Sequence, residues 1–267
     1  MKYLFWNTYK KNLDSAICDI VSELSCDIIS IAEYGGSINE LIIKLNKNEL
    51  VYYKVEGIDN EKINIITKYK PSQIDNIYDA GHFTIKRIPH ENLGMIIMVF
   101  VHLPSKLHDS DFTRFNIAQR IKNEVERVEF ELKCDKTIIV GDFNMNPYDI
   151  GMSGASALHC SSSREVARMH HRTVFGKEYS MFYNPMWGFL GDLVTPDGSY
   201  FYNDSSEELN YFWNIFDQVI IRPSLIDFFN PATIKMIQKT NSHVLIDDRG
   251  RPNKKEYSDH LPLYFEL

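Results

Sequence analysis

Tyr257-Ser258-Asp259-His260-Leu261-Pro262-Leu263 is the stretch on which the reading of this chain turns. An adjacent carboxylate and imidazole stand directly before the apolar run 261–267, which ends the sequence. An Asp-His pair alone is something a surface loop carries by chance. Working outward, apolar runs that end in isolated polar residues recur upstream. They are Leu4-Phe5-Trp6-Asn7, 28–32 then Glu33, 96–101 then His102, and 138–140 then Gly141-Asp142-Phe143-Asn144. Short runs of this composition read as buried strands. Each delivers a polar group at its C-terminal end, where α/β proteins place their ligands.

The remaining pattern alternates strands with a few helices. Residues 2–7 and 27–32 read as strands, and 12–25 as an amphipathic helix with Leu13, Ile17, Ile20, Val21 and Leu24 at helical spacing. A second helix is expected from Ser37 as N-cap to Leu45. Five β runs follow, at 50–55, 62–67, 72–78, 82–88 and 93–101. Residues 110–132 predict a long helix that gathers Phe112, Phe115, Ile117, Ile121, Val125, Val128 and Leu132, and 137–141 a strand. Residues 146–200 are the least regular, and strands return near 199–203, 216–222 and 261–267. The order alone supports an α/β or α+β class. It shows no repeat and no linker, so one domain over 1–267 is expected.

Bulk composition narrows the function. At 267 residues with 44% hydrophobic and 24% charged, the chain can bury a large core without disulfides. Cys18, Cys26, Cys134 and Cys160 lack Cys-x-x-Cys spacing and read as free thiols in a reducing compartment. No leader and no apolar run of the ~20 residues a membrane helix needs is evident, so a cytoplasmic protein without membrane contact is expected. A net charge of −7 argues against tight, metal-free, nonspecific duplex binding.

Taken together, Trp6-Asn7, Ala32-Glu33, His102-Leu103-Pro104-Ser105, Gly141-Asp142-Phe143-Asn144, Asp217-Gln218-Val219 and Ser258-Asp259-His260 resemble the endonuclease/exonuclease/phosphatase superfamily, in its motif order and over nearly the whole chain. The resemblance implies a four-layer α/β sandwich, two mixed β-sheets packed face to face with helices outside. It implies a Mg²⁺- or Mn²⁺-dependent hydrolase of phosphoester bonds, most simply a nuclease acting on DNA or RNA. A phosphatase or phosphodiesterase for a small phosphorylated molecule, and a member that binds without cutting, are the alternatives. A sphingomyelinase fits less well, since neither a secretion signal nor an apolar hairpin is visible.

Phosphodiester hydrolysis needs an aimed water, stabilised phosphoryl charge and a neutralised leaving oxygen. A glutamate closing 28–32 is costly when buried without a cation or partner and otherwise reads as a cap on the next loop; the resemblance makes Glu33 the leading metal ligand. Asn7 and Asp259 are expected beside it, and such oxygen donors suit Mg²⁺ or Mn²⁺ over Zn²⁺. By resemblance, Asp142 orients or deprotonates the water and Asn144 supports it. On their own these two residues also read as a turn. The resemblance pairs His260 with Asp217, an arrangement that fixes the tautomer and favours the imidazolium, and sets His102 toward the scissile phosphate. One departure is Tyr9, which stands where apurinic endonucleases carry an acid; this leaves the number of metals open.

Substrate choice has weaker signals. Arg164, Arg168 and Arg172 share a face if 163–172 is helical, as a substrate-binding stripe or as solvated surface. Arg249, Arg251, Lys254 and Lys255 precede Asp259-His260 and lie near the site by connectivity, and Ser105-Lys106 follows His102. Aromatics crowd 182–213, some for the core and some available to stack on bases. The irregular 150–200 segment is the expected specificity element.

Overall fold

The computed structural model describes residues 1–48, 51–57, 62–106, 110–191, 194–205 and 208–267. In chain order these form β1 (Lys2–Asn7), α1 (Asp14–Leu24), β2 (Ile28–Ala32), α2 (Ile38–Leu45), β3 (Tyr53–Val55), β4 (Ile63–Thr67), β5 (Asp75–Asp79), β6 (Phe83–His90), β7 (Gly94–His102) and α3 (Asp111–Leu132). There follow β8 (Thr137–Asp142), α4 (Ile150–Ser153), β9 (Cys160–Ser161), α5 (Arg164–Ala167), β10 (His171–Val174), β11 (Lys177–Ser180), β12 (Phe182–Tyr183), β13 (Tyr200–Phe201), β14 (Trp213–Asn214), β15 (Asp217–Ile221), β16 (Lys235–Met236) and β17 (Leu263–Glu266). Two large mixed sheets result, ordered β16-β17-β1-β2-β4-β3 and β5-β6-β7-β8-β15-β12-β9. Among the described residues no helix is long and apolar enough to cross a membrane.

The central strands are apolar on both faces because both faces are covered. Ile96, Met98, Phe100, Ile138 and Val140 share one core cluster with Leu4, Trp6, Ile29 and Ile66 of the six-stranded sheet. The alternate residues Ile97, Val99, Val101 and Ile139 pack instead with Ala118, Ile121, Val125 and Val128 of α3. The period of two along each strand thus divides its side chains between the opposite sheet and a helix. This is the expected sandwich.

Two of the helix starts follow capping chemistry. Ser110 accepts from the Thr113 N–H at 3.2 Å to open α3, and Ser37 accepts from the Glu40 N–H at the start of α2. One expectation for α3 fails. Phe112 lies off the buried 114-118-121-125-128 stripe and is 72% exposed.

The strand ends define one edge of the sandwich. β1 and β2 are parallel, with Asn7 opposite Ala32, so Asn7 and Glu33 leave at the same end. β17 runs antiparallel to β1, which brings Asp259 and His260, just ahead of it, back to that end. In the other sheet β7 and β8 are parallel with His102 opposite Asp142, and β15 is antiparallel with Asp217 opposite Asp142. His102, Asp142 and Asp217 therefore stand abreast on three neighbouring strands.

Candidate active site

Three polar pairs close the gap between the sheets at this edge. Asn7 Nδ2 donates to Asp142 Oδ2 at 3.0 Å. His102 Nε2 lies 3.4 Å from Glu33 Oε1. His260 Nδ1 is 2.8 Å from Asp217 Oδ2. In every pair one residue stands at a strand end of the six-stranded sheet or beside it and the other at a strand end of the seven-stranded sheet, so sheet packing itself sets the site geometry.

The backbone around these residues is over-determined. Ser258 Oγ donates to the Asn7 carbonyl at 2.6 Å and accepts from the His260 N–H at 3.1 Å, while Trp6 Nε1 donates to the His260 carbonyl at 2.9 Å. Asp142 Oδ1 accepts from the Asn144 N–H at 2.9 Å, and Asn144, in the left-handed region at φ 49°, donates its amide to the Leu103 carbonyl at 2.9 Å. Glu33 is also left-handed at φ 47°, a conformation that costs roughly 1–2 kcal/mol in a non-glycine residue. Its carbonyl accepts from Lys10 N–H at 2.8 Å and Thr8 Oγ1 at 2.9 Å, which hold it there. Gly141 is required where it stands, because a Cβ would meet the Val101 carbonyl oxygen at 2.0 Å.

Electrostatics fix the protonation of the pair at the centre. Burial pulls the His260 imidazole down, but Asp217, Asp142 and Asp259 around it prevail and push it up to about 10. Burial also raises the Asp217 carboxyl, so the pair shares one proton, and the three carboxylates around the ring favour its place on His260. Its Nε2 lies 3.9 Å from Asp142 Oδ2 and 4.0 Å from Asp259 Oδ1. The His102 contact holds the Glu33 carboxyl below its usual range.

Which groups suit a metal follows from these states. Among the described residues, Asp142, Asp217 and His260 bring ligand-type atoms within 4.8 Å of one another. A protonated imidazole has no lone pair to give, so this trio is an ion-pair cluster. Glu33 and Asp259 fit a hard cation better. Asp259 is buried, and its Oδ1 has no hydrogen-bond partner, an arrangement that favours a cation beside it. Asn7 Oδ1 accepts from the Tyr9 N–H at 3.1 Å, which orients the amide and leaves that oxygen one lone pair. Glu33, Asp259 and this oxygen make an all-oxygen donor set suited to Mg²⁺ or Mn²⁺.

A cleft of about 740 Å³ opens here, lined by Asn7, Glu33, Asp142, Asn144, Asp259 and His260. Lys10, Lys106 and Lys254 and the rings of Tyr200, Tyr202 and Tyr211 also face it. His102 and Asp217 stand behind the lining and hold Glu33 and His260.

The arginine stripe does not form. α5 is a single turn, Arg168 caps it and Arg172 lies on β10. Arg164 donates to the Phe229 carbonyl at 2.9 Å, and Arg168 Nη2 pairs with Asp227 at 2.6 Å. Both partners follow the end of β15 remote from Asp217, and none of the three arginines lines the cleft. Of the expected 150–200 specificity segment only Tyr200 lines the cleft, among the described residues; β9 and β12 form the far edge of the seven-stranded sheet, and Tyr202, Tyr211, Asn214 and Phe216 continue the wall that Tyr200 begins. Arg251 is engaged with Asp247, and Lys254 of that basic run reaches the site.

Two neighbours of the site stand out only in the structure, Tyr200 from among the crowded aromatics of 182–213 and Arg114. Tyr200 bridges to the backbone of His260 and lays its ring 4.8 Å from the imidazole. Arg114 lines the cleft from the first turn of α3, a placement visible only once that helix is aimed at the site.

No family model matches this chain. No curated protein matches it either. Solved structures do. TDP2 of D. rerio, complexed with single strand DNA product, is 15% identical with a TM-score of 0.53, covering 99% of this chain and 97% of that one. The 3' phosphatase NExo from Neisseria, bound to a product DNA hairpin, is 14% identical with a TM-score of 0.54, covering 100% and 99%. An endonuclease/exonuclease/phosphatase family protein from Bacteroides thetaiotaomicron is 13% identical with a TM-score of 0.53, covering 100% and 95%. At such identities the likeness is one of fold, and the fold of this chain is that of the endonuclease/exonuclease/phosphatase superfamily.

Proposed function

We propose that the chain, acting as one catalytic domain over 1–267, is a Mg²⁺- or Mn²⁺-dependent phosphodiesterase whose substrate is a polynucleotide. The observation that carries this reading is the convergence of the pairs Asn7–Asp142, Glu33–His102 and His260–Asp217 at one cleft, beside an unpartnered Asp259 oxygen. In this reading Glu33, Asp259 and the oxygen of Asn7 hold the divalent cation, which when bound supplies positive charge to the scissile phosphate and its leaving oxygen. Asp142 accepts a proton from the attacking water. Its lone pairs are aimed by the Asn7 amide and the Asn144 N–H. The His260 imidazolium donates a hydrogen bond from Nε2 to a phosphoryl oxygen as charge gathers there, and Asp217 fixes its tautomer through Nδ1. His102 steadies the Glu33 carboxylate.

A polynucleotide is favoured because Lys10, Lys106 and Lys254 face the cleft together with the rings of Tyr200 and Tyr211, which suits phosphates and exposed bases. The nucleic-acid products named for the TDP2 and NExo structures agree with it. A small phosphorylated molecule is the second reading, favoured by the net charge of −7. A panel of single-stranded DNA, duplex DNA, RNA, a bis-aryl phosphodiester and an inositol phosphate, each with and without Mg²⁺, decides between them. Metal-dependent cleavage of a polymer supports the proposal. Turnover of small esters alone supports the second reading, and silence on all five with a folded protein refutes both.

A further inference from the structure

The metal reading above places Asp259 among the ligands, and Asp259 has a second neighbour. Lys254 Nζ sits 3.1 Å from Asp259 Oδ2. That ammonium also lies 4.3 Å from the centroid of the Tyr9 ring, within cation–π range. Its backbone is anchored from across the cleft rim, because Lys11 Nζ donates to the carbonyl oxygens of Lys254 and Lys255. Tyr9 in turn gives its N–H to Asn7 Oδ1. The lysine is thus fixed at both ends and tied through Tyr9 to a second residue of the donor set.

The two Asp259 oxygens have different fates. Oδ2 is taken by the ammonium, while Oδ1 is buried, has no hydrogen-bond partner and points toward His260 Nε2 at 4.0 Å. A carboxylate with both oxygens open can bridge two cations, but one with an oxygen held by an ammonium offers a single ligand atom. The charge also repels a dication nearby, a modest term because the Lys254 side chain is 54% exposed and solvent screens it.

We propose that Lys254 is a positioning residue that serves as the built-in counter-cation of Asp259: it orients the free oxygen toward one divalent ion and, by competing for the same carboxylate, limits the site to that ion and weakens its binding. The inference rests on the metal reading above. It is tested by Mn²⁺ binding, followed by electron paramagnetic resonance on the intact chain without substrate, for wild type, Lys254→Met and Lys254→Arg. Methionine keeps an unbranched stem over Tyr9 and removes the charge. Wild type should bind one Mn²⁺ per chain, Lys254→Met should bind it at least about tenfold tighter, and Lys254→Arg should return to wild-type affinity.

Two ions on wild type, or unchanged affinity in a folded Lys254→Met, overturns the inference. Wild type that binds no Mn²⁺ overturns the metal reading and the inference with it. Wild type that binds one ion but cleaves no phosphoester overturns the phosphodiesterase reading alone.

Discussion

His260 carries the charge balance of the site, and its state has a sign that can be checked. Three carboxylates raise it from an ordinary 6.5 to about 10. A raised imidazole contributes stability that is fully present below pH 6.5 and is lost as pH rises through about 10. Histidine signals followed by NMR should show one ring that stays protonated through pH 8, and thermal stability should decline progressively from about pH 6.5 to about pH 10. A His260 that titrates near 6.5 would remove the imidazolium from the mechanism. His260→Ala should lower kcat more than it raises KM, because its bond to a phosphoryl oxygen strengthens only as charge develops; a change confined to KM would make it a binding residue. Asp142→Asn keeps the shape but removes the base, and it turns one of the two oxygens that accept from Asn7 Nδ2 and the Asn144 N–H into a donor. Turnover should fall on the order of 10²–10⁴-fold with little loss of substrate affinity.

At the scale of elements, β8 organises the site. It pairs with β7 on one side and β15 on the other, and its last residue faces His102 and Asp217. Gly141 lets β7 approach closely enough for that register, so Gly141→Ala should cost about 2 kcal/mol or more and lower activity further than the stability loss explains. Chemical denaturation alongside kinetics separates the two. These strands were legible because their apolar runs are short, continuous and closed by a polar residue, and Asn7, Glu33, His102 and Asp142 could be read directly off their ends. The reading failed where local pattern and tertiary placement part. A spacing of four among Arg164, Arg168 and Arg172 implies a shared face only if the helix continues. The chain instead turns into β10, and Asp227 and the Phe229 carbonyl claim the first two. Tyr200 is one of the crowded aromatics of 182–213, but nothing local singles it out, because its role comes from a backbone bridge to a residue 60 positions away.

Across the whole molecule, an acidic chain must bind a polyanion through a local basic rim. Lys10, Lys106 and Lys254 face the cleft while the chain as a whole carries −7. Lys254 is engaged with Asp259 and Lys106 with Asp149, so one to three phosphate contacts on a single strand give a slope between about −1 and −2 in log affinity against log salt. Oligonucleotide binding measured from low to moderate salt should show that shallow dependence, and a much steeper one would demand a basic surface beyond the cleft. The sandwich itself was foreseeable from the order of strands and helices together with the motif resemblance. The two faces of each central strand were not, since a run that is apolar throughout does not say which residues meet the other sheet and which meet α3. The most direct test of the phosphodiesterase reading is Mg²⁺-dependent cleavage of a labelled single-stranded oligonucleotide by wild type and Glu33→Gln, with circular dichroism confirming both folds. The expected result is cleavage that requires Mg²⁺ and falls at least about 100-fold in the variant; activity retained within about tenfold by a folded Glu33→Gln would contradict the assignment of this cleft as the metal-dependent centre.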